Sequence, residues 1–336
     1  MPFAYPHRWP ILGIVTTLAL SASACTTWGV ARWPAQASVA TAARPHSPTA
    51  EAAHAATEPA TVVRIADVPF FAQKRYQCGP AALAMALEWS GEKVDSEDLV
   101  ASVYTPDLHG SLQASMIAAV RRHGRIGYVI DSPDELFAEL RAGNPVIVLQ
   151  NLRFSWWPAW HYAVVIGYDT RDRSVLMRSG SDAERSVGWR RFASSWPPGS
   201  RWGLVVLAPG KLPATATAHA YLKTVVALER VDQWDAAATS YRAALQRWPR
   251  NLAAAIGLAN AELGLQRPVA AETILRATVQ EHPHSAQAHN NFAHVLALNG
   301  KHDEALRQAR MAVLLGGKHT EIYRQTLEQI EGRTPP

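Results

Sequence analysis

Hydrophobic and polar positions divide this chain into four stretches of different character. Residues 11–20 form a short apolar run, and residues 26–62 are rich in Ala, Pro, Thr and Ser. Between residues 63 and 210 apolar positions recur at helical and then at strand spacing, and from residue 218 a helical pattern repeats. The pattern predicts two folded domains, preceded by an apolar segment and a linker.

The first 25 residues have the layout of an export signal. His7 and Arg8 form a short positive segment ahead of the apolar run, which is too short to span a membrane. Small residues then lead to Cys25. This ending resembles the lipobox of bacterial lipoproteins. The alternative is an ordinary signal peptide in which Cys25 is incidental.

The lipoprotein resemblance implies that residues 1–25 are removed or modified as a signal and that Cys25 carries the lipid. Thr26, in place of Asp, implies by the same resemblance an outer-membrane location facing the periplasm. Residues 26–62 contain almost no large apolar residue after Trp33, so they cannot bury enough surface to offset their ordering entropy. We expect them to be a flexible tether.

Residues 63–210 are predicted to form an α+β domain, since helical patterns come first and antiparallel-looking strands follow. Ser132 and Glu135 form a capping-box pattern at the start of the fourth helix. The expected helices cover residues 81–89, 96–104, 111–123 and 133–142. The expected strands cover residues 62–65, 68–71, 145–150, 161–169, 175–178 and 201–208.

Cys78 precedes the first of these helices in the segment Gln77-Cys78-Gly79-Pro80. Proline is tolerated in the first turn of a helix, where its missing N–H would have no partner. The thiol is therefore placed at a helix N-terminus, where the macrodipole favours the thiolate. We expect Cys78 to be a free and activated thiol.

His161 opens the alternating strand of residues 161–169. A helix-borne cysteine and a histidine at the start of a distant strand resemble the arrangement in papain-type cysteine proteases. In such a pair the imidazole acts first as base and then as acid. The other interpretation of His161 is a half-buried strand histidine with no chemical role.

Two sequence blocks resemble the C39 peptidases, the papain-like family typified by the leader-cutting domains of bacteriocin exporters. The blocks are Val68–Met85, which contains Gln77-Cys78-Gly79-Pro80, and His161–Gly167. The resemblance covers about residues 63–210. It implies a papain-like fold and thiol peptidase activity, with Gln73 donating a hydrogen bond to the oxyanion. Gln77 is the neighbouring amide whose direction the sequence does not fix.

C39 peptidases carry an Asp after the histidine to hold its tautomer, and aligning the strands puts Ser179 at that place. Ser179 can accept a hydrogen bond from an imidazole but cannot stabilise an imidazolium by charge. Asp182 is the second candidate. This departure leaves open a slow enzyme or a domain that only binds its peptide.

Trp156, Trp157 and Trp160 directly precede His161. They form either a core cluster beneath the sheet or the wall of a substrate groove. The sequence does not decide between these two interpretations.

From Ala218 onward, small residues recur with a period of 34, and the three repeats begin at Ala218, Leu252 and Ala286. This length and pattern resemble tetratricopeptide repeats. We expect an all-α array over residues 218–330, made of three repeats and a capping helix at residues 321–330. The array is either a structural buttress or, as we prefer, a surface that binds a protein partner.

Composition limits the remaining possibilities. The formal net charge is +5, but the arginines are scattered and no basic stripe is interleaved with aromatic residues, so we expect no nucleic-acid partner. Two cysteines allow at most one disulfide, and a lipidated Cys25 would leave Cys78 unpaired. No metal or cofactor is expected.

The sequence thus predicts a membrane-tethered cysteine peptidase of the cell envelope that hydrolyses a protein or peptide recruited by its repeats. The alternative is a catalytically weak or inactive adaptor that assembles envelope proteins. Acyl transfer to an amine would use the same residues as hydrolysis.

Overall fold

The structure is a computed structural model that describes residues 61–73, 76–154 and 156–332. The predicted signal peptide at residues 1–25, Cys25 and nearly all of the linker at residues 26–62 lie outside the described residues. Within the described ranges, no helix has the length and apolar character needed to cross a membrane.

The first domain combines short helices with one large sheet. Its described elements, in chain order, are β1 (Val62–Arg64), α1 (Cys78–Trp89), α2 (Ser96–Val103), β2 (Tyr104–Thr105), a 3-10 turn (Pro106–Leu108), β3 (Gly110–Ser111), α3 (Gln113–Arg122), β4 (Ile126–Ile130), α4 (Pro133–Arg141), β5 (Val146–Asn151), β6 (Trp160–Asp169), β7 (Ser174–Ser179), β8 (Asp182–Gly188), α5 (Trp189–Ser195) and β9 (Gly203–Leu207).

The main sheet has the strand order β4-β9-β5-β6-β7-β8, and β1 pairs with the far end of β6. All the pairings are antiparallel, so the prediction of an α+β domain is confirmed. β6 lies in the middle, where Val165 is opposite Val146 on β5 and Met177 on β7. Because β6 is flanked on both sides, its first residues are held at a fixed place in the sheet.

Helices cover both faces of the sheet. α1, α2 and α3 pack on one face, against side chains such as Tyr162 and Val164. α4 and α5 pack on the other face, against Ala163 and Val165. Successive residues of β6 point to opposite faces, so one strand contributes to both layers of the core.

Some local expectations need correction. Residues 68–71 are not a strand. Asp95 caps α2 by accepting a hydrogen bond from the Glu97 N–H at 2.9 Å. The capping box of Ser132 and Glu135 is confirmed.

The strands β4 and β8 and the helix α5 were not anticipated. β8 has exposed charged positions and lies at the sheet edge, so it lacks an apolar signal.

The C-terminal part is an all-α array, as predicted. Its described helices are α6 (Ala218–Glu229), α7 (Trp234–Arg247), α8 (Leu252–Gly264), α9 (Pro268–Glu281), α10 (Ala286–Leu298), α11 (His302–Leu315) and α12 (Thr320–Glu331). The expected repeat starts at Ala218, Leu252 and Ala286 are the first residues of α6, α8 and α10. The small residues of the repeat, such as Ala237 and Ala271, are fully buried where helices meet.

The two parts share a core and are joined by a buried carboxylate. Glu139 of α4 is fully buried and accepts hydrogen bonds from the N–H groups of Ala214 and Thr215 and from the Thr215 hydroxyl. Asn144 donates a further bond to it at 2.7 Å. The connecting segment ahead of α6 is thereby fixed to the first domain. Tyr221 of α6 also belongs to the apolar cluster beneath the sheet.

Candidate active site

Cys78 is the first residue of α1, so the thiol lies at a helix N-terminus as the sequence predicted. The following glycine has a structural reason, because a Cβ on Gly79 would collide with the side chain of Ser111. Only glycine therefore allows β3 to pack against the first turn of α1. Pro80, which follows, is buried and lacks an N–H at a position where none is needed.

The thiol lies near the start of β6, where the backbone of Tyr162 acts to lower the pKa of Cys78. The side-chain amide of Gln73 donates to the carbonyl oxygen of the same Tyr162 at 3.3 Å. β7 pairs with β6 only from Val164 onward, so Tyr162 lies just before the paired stretch. Gln73 and Cys78 thus meet at one residue, the residue that follows His161.

Gln73 is held at both ends of its side chain. Its Oε1 accepts a hydrogen bond from the Gly180 N–H at 3.1 Å, and its own backbone N–H donates to the Gly180 carbonyl at 3.0 Å. The amide therefore connects the β7–β8 turn to β6 beside the thiol. Gln77 is the residue that precedes α1, and its side chain makes no capping hydrogen bond to the helix.

His161 and Ser179 are brought together. The Nε2 atom of His161 lies 2.9 Å from the hydroxyl oxygen of Ser179, the last residue of β7. Ser179 is buried, whereas Asp182 is exposed and lies opposite Ser179 in the β7–β8 register. In the described structure Asp182 makes no hydrogen bond with His161. A hydroxyl, not a carboxylate, is the group that contacts the imidazole.

Cys78 and His161 do not hydrogen-bond to each other in the described part of the chain. The contact of the thiol is with the peptide group next to His161. The structure therefore gives the thiol and the imidazole separate polar partners, and alternation along β6 points His161 to the face opposite Tyr162 and α1. In apo structures catalytic hydrogen bonds are often long and tighten only when substrate is bound.

The pKa of the Cys78 thiol is a correction to the expectation of an activated thiol. Burial raises the pKa above its ordinary value, although backbone hydrogen bonds at Tyr162, Gly79 and Cys78 itself act in the opposite direction. Burial also lowers the pKa of His161, and the positive charge of Arg185 lowers it further. The resting pair is consequently a neutral thiol and a neutral imidazole, because desolvation disfavours both charged forms.

The tryptophans before His161 are not a core cluster. Trp156 and Trp157 are 76% and 63% exposed, and Trp160 and Phe154 are exposed as well. They lie on the β5–β6 hairpin, which projects from the sheet next to His161. Asn151 holds the base of this hairpin by accepting a hydrogen bond from the Ala159 N–H at 2.9 Å.

Arg185 is a site residue that the sequence did not reveal. It lies on the unanticipated strand β8, opposite Met177 of β7, and its charge acts on His161. One charged residue in an alternating stretch gives no signal of its position before the sheet order is known. Within the described residues, no group of His, Cys, Asp and Glu side chains is arranged to hold a metal ion.

Comparisons with known proteins match both folded parts of the chain. Residues 65–201 match the model of the Peptidase_C39 like family. Residues 222–284 and 258–315 match the model of the Tetratricopeptide repeat. No curated protein matches the chain.

Similar solved structures include proteins of both kinds. The peptidase domain of Streptococcus ComA, a bi-functional ABC transporter, is 20% identical with a TM-score of 0.34; the match covers 42% of this chain and 96% of that one. The first tetratricopeptide-repeat domain of Spaghetti (RPAP3), solved with an HSP90 peptide, is 17% identical with a TM-score of 0.32, covering 34% and 90%.

The chain thus combines an α+β domain that matches the Peptidase_C39 like family over residues 65–201 with a helical array that matches tetratricopeptide repeats over residues 222–315.

Proposed function

We propose that the protein is a cysteine peptidase that hydrolyses a peptide bond in a protein or peptide held by its repeats. The single observation that carries the proposal is the meeting of Cys78 and Gln73 at Tyr162, directly after His161. A nucleophile, a base and an amide donor at one strand start are the parts that acyl transfer requires.

The neutral pair fits a general-base mechanism. A neutral His161 has a free nitrogen to take the thiol proton as Cys78 attacks the carbonyl carbon, and it then returns that proton to the leaving amine. Ser179 bonds to Nε2, which leaves Nδ1 as the nitrogen for this transfer. The acyl-enzyme is released by water, or by an amine if the reaction is acyl transfer.

Gln73 is our choice for the oxyanion donor, together with the backbone N–H of Cys78. One amide hydrogen of Gln73 bonds to the Tyr162 carbonyl, and an amide nitrogen carries two hydrogens. Loss of such a donor lowers the rate by ~10²–10³ in other hydrolases. Gln73→Glu keeps the size of the side chain but removes both amide hydrogens, so a loss of kcat with thermal unfolding unchanged would separate the oxyanion role from the structural bond to Tyr162.

The exposed aromatic hairpin supports the interpretation as a groove wall. Trp157 and Trp160 present apolar surface beside His161 rather than filling the core. A peptide that binds along this wall would bury indole surface. Trp157→Ala should then raise KM more than it lowers kcat, while tryptophan emission that does not respond to substrate would argue against contact.

A second function follows from the same geometry. Ser179 offers no charge to an imidazolium, and the raised thiol pKa reduces the thiolate fraction at neutral pH. Both observations favour a slow or inactive domain that serves, with its repeats, as an adaptor for protein partners. Cys78→Ala decides between the two, because the adaptor would keep its cellular phenotype while the peptidase would lose it.

Membrane attachment completes the proposal. A lipid on Cys25 and a tether over residues 26–62 would hold both domains at the cell envelope, at the outer membrane facing the periplasm. Metabolic labelling with a palmitate analogue, compared between the natural chain and Cys25→Ser, tests this directly. Labelling that survives in Cys25→Ser would exclude the lipid site.

A further inference from the structure

A cavity of about 330 Å³ lies on the side of Ser179 away from α1. Its apolar floor is formed by Met177 and Val187, which point to the face of the sheet opposite α1. This volume is at the lower end of the range for pockets that bind small ligands or single side chains. The cavity shares Ser179 with the candidate active site but is separate from Cys78.

Three arginines line the cavity, and no acidic residue does. They are Arg153 at the end of β5, Arg185 on β8 and Arg191 on α5. In the described part of the chain, none of the three guanidinium groups forms an ion pair or a side-chain hydrogen bond. The chain forms such pairs readily elsewhere, for example between Arg276 and Glu304. Three unpaired arginines around one cavity produce a local positive field.

The other polar groups of the cavity are fixed in place. Gln150 is buried and donates from Nε2 to the Ser195 hydroxyl at 2.6 Å, and that hydroxyl donates to the Phe192 carbonyl at 2.8 Å. Gln150 lies opposite His161 in the β5–β6 register. Gln150 and Ser195 are therefore held in place next to β6, the strand that carries His161. The three arginines remain available to a ligand.

We propose that this cavity binds a carboxylate carried by a peptide and holds it beside Ser179. A guanidinium binds a carboxylate with two parallel hydrogen bonds, and three of them around one site would accept the group without an acidic competitor. The carboxylate belongs either to an acidic side chain or to a chain terminus. Inorganic anions lack the attached chain that the Met177 and Val187 floor would contact.

Carboxylate binding at this cavity would deepen the proposed function. Its consequence for catalysis rests on that proposed peptidase function. The family acid is replaced by Ser179, and a carboxylate bound here would supply negative charge on the Nε2 side of His161. It would also neutralise Arg185, whose charge opposes protonation of the imidazole. The acid that the chain lacks would then come from its peptide ligand.

The test is a binding measurement on the mature chain carrying Cys78→Ala, which prevents cleavage. Fluorescein-labelled tetra-glutamate with a blocked C-terminus reports side-chain carboxylates, and labelled tetra-glycine with a free C-terminus reports a chain terminus. Labelled tetra-glutamine with a blocked C-terminus is the neutral control. We expect one of the two carboxylate peptides to bind, and the neutral control not to bind.

Matched variants locate the site. Arg185→Gln and Arg191→Gln should each weaken binding about tenfold or more, since hydrogen bonds to charged groups are strong. Arg190→Gln is the control, because Arg190 is exposed on the same helix but does not line the cavity. Equal weakening in all three variants would overturn the proposal. So would failure of both carboxylate peptides to bind the chain that keeps its natural arginines.

Inorganic phosphate is added as a competitor at the same ionic strength as a chloride control. Binding of phosphate without binding of either peptide would also overturn the proposal. Because cleavage plays no part in these measurements, an inactive Cys78 leaves them unchanged. Conversely, failure to bind carboxylates leaves hydrolysis by Cys78 and His161 open.

Discussion

His161 and Ser179 are joined by a hydrogen bond of 2.9 Å between Nε2 and the hydroxyl oxygen. The bond fixes the direction of the ring and leaves Nδ1 for the proton transfer that we propose. It supplies no negative charge, so an imidazolium formed in the proposed reaction would be stabilised less than it would be by a carboxylate.

Ser179→Asp should therefore raise the pKa of His161. A carboxylate within ~4–6 Å of an imidazole favours its charged form by roughly one pKa unit or more. Titration of the assigned His161 ring signals by NMR measures the shift directly. Ser179→Ala is the matched control and removes the hydrogen bond without adding charge. An unchanged pKa in Ser179→Asp would mean that the new carboxylate does not face the ring.

Cys78 should be alkylated slowly at neutral pH. Because burial raises its pKa, the thiolate becomes the main form only at a higher pH than for a free cysteine. The rate of modification by iodoacetamide, followed by mass spectrometry of the Cys78 peptide, should keep rising above the pH at which glutathione levels off. A profile that levels off at lower pH than glutathione would restore the activated thiolate that the helix N-terminus suggested.

The fold shows which parts of this site a single sequence can reveal. Cys78 and His161 can be identified from the sequence because each has a local signal. Cys78 stands at a helix start marked by a proline, and His161 is the first residue of an alternating stretch. Ser179 was found only by aligning strands with a known family. The hydrogen bonds to Ser179 and Tyr162 depend on the order of strands in the sheet, which local spacing does not determine.

The errors have physical reasons as well. The sequence places Cys78 at a positive helix end, but its pKa is dominated by burial, and burial depends on how β3 and β6 pack over α1. The tryptophans gave a similar ambiguity, because apolar residues are common on surfaces as well as in cores. Arg185 had no local signal, since an edge strand with alternating charges resembles a polar loop.

Glu139 should be important for stability although it lies far from Cys78 in the sequence. Glu139→Ala leaves the donors of Ala214, Thr215 and Asn144 without their buried partner and is expected to cost about 3 kcal/mol of unfolding free energy. Urea denaturation measures the loss. Thr215→Val removes only one of the bonds and should cost less; equal costs would show that the carboxylate is not the centre of this network.

Glu229 should make the repeats less stable as pH rises. Burial raises the pKa of its carboxyl to about 7, although hydrogen bonding from Tyr241 and the charge of Arg230 oppose the shift. The ordinary pKa is 4.5, so between these values the folded chain binds more protons than the unfolded chain. Stability therefore falls as pH rises through this window.

Glu229→Gln removes this dependence. The variant should gain stability over the natural chain as pH rises from 4.5 to about 7, by at most about 3 kcal/mol, and the two should converge at lower pH. Thermal unfolding between these pH values tests it. Glu321→Gln is the control, because it removes a carboxylate from the exposed surface of α12 and not from the core. A constant difference at every pH would point to packing instead of titration.

The buried carboxylate of Glu139 and the shared apolar cluster also fix the distance between the helical repeats and Cys78. The array does not hang from the first domain on a free hinge, because residues 214 and 215 are bonded to α4 and Tyr221 is packed into its core. For a chain held on the repeats, the distance and direction to Cys78 would then be constant. The fixed distance would then select the peptide bond that reaches Cys78 by its separation along the chain from the segment bound to the repeats.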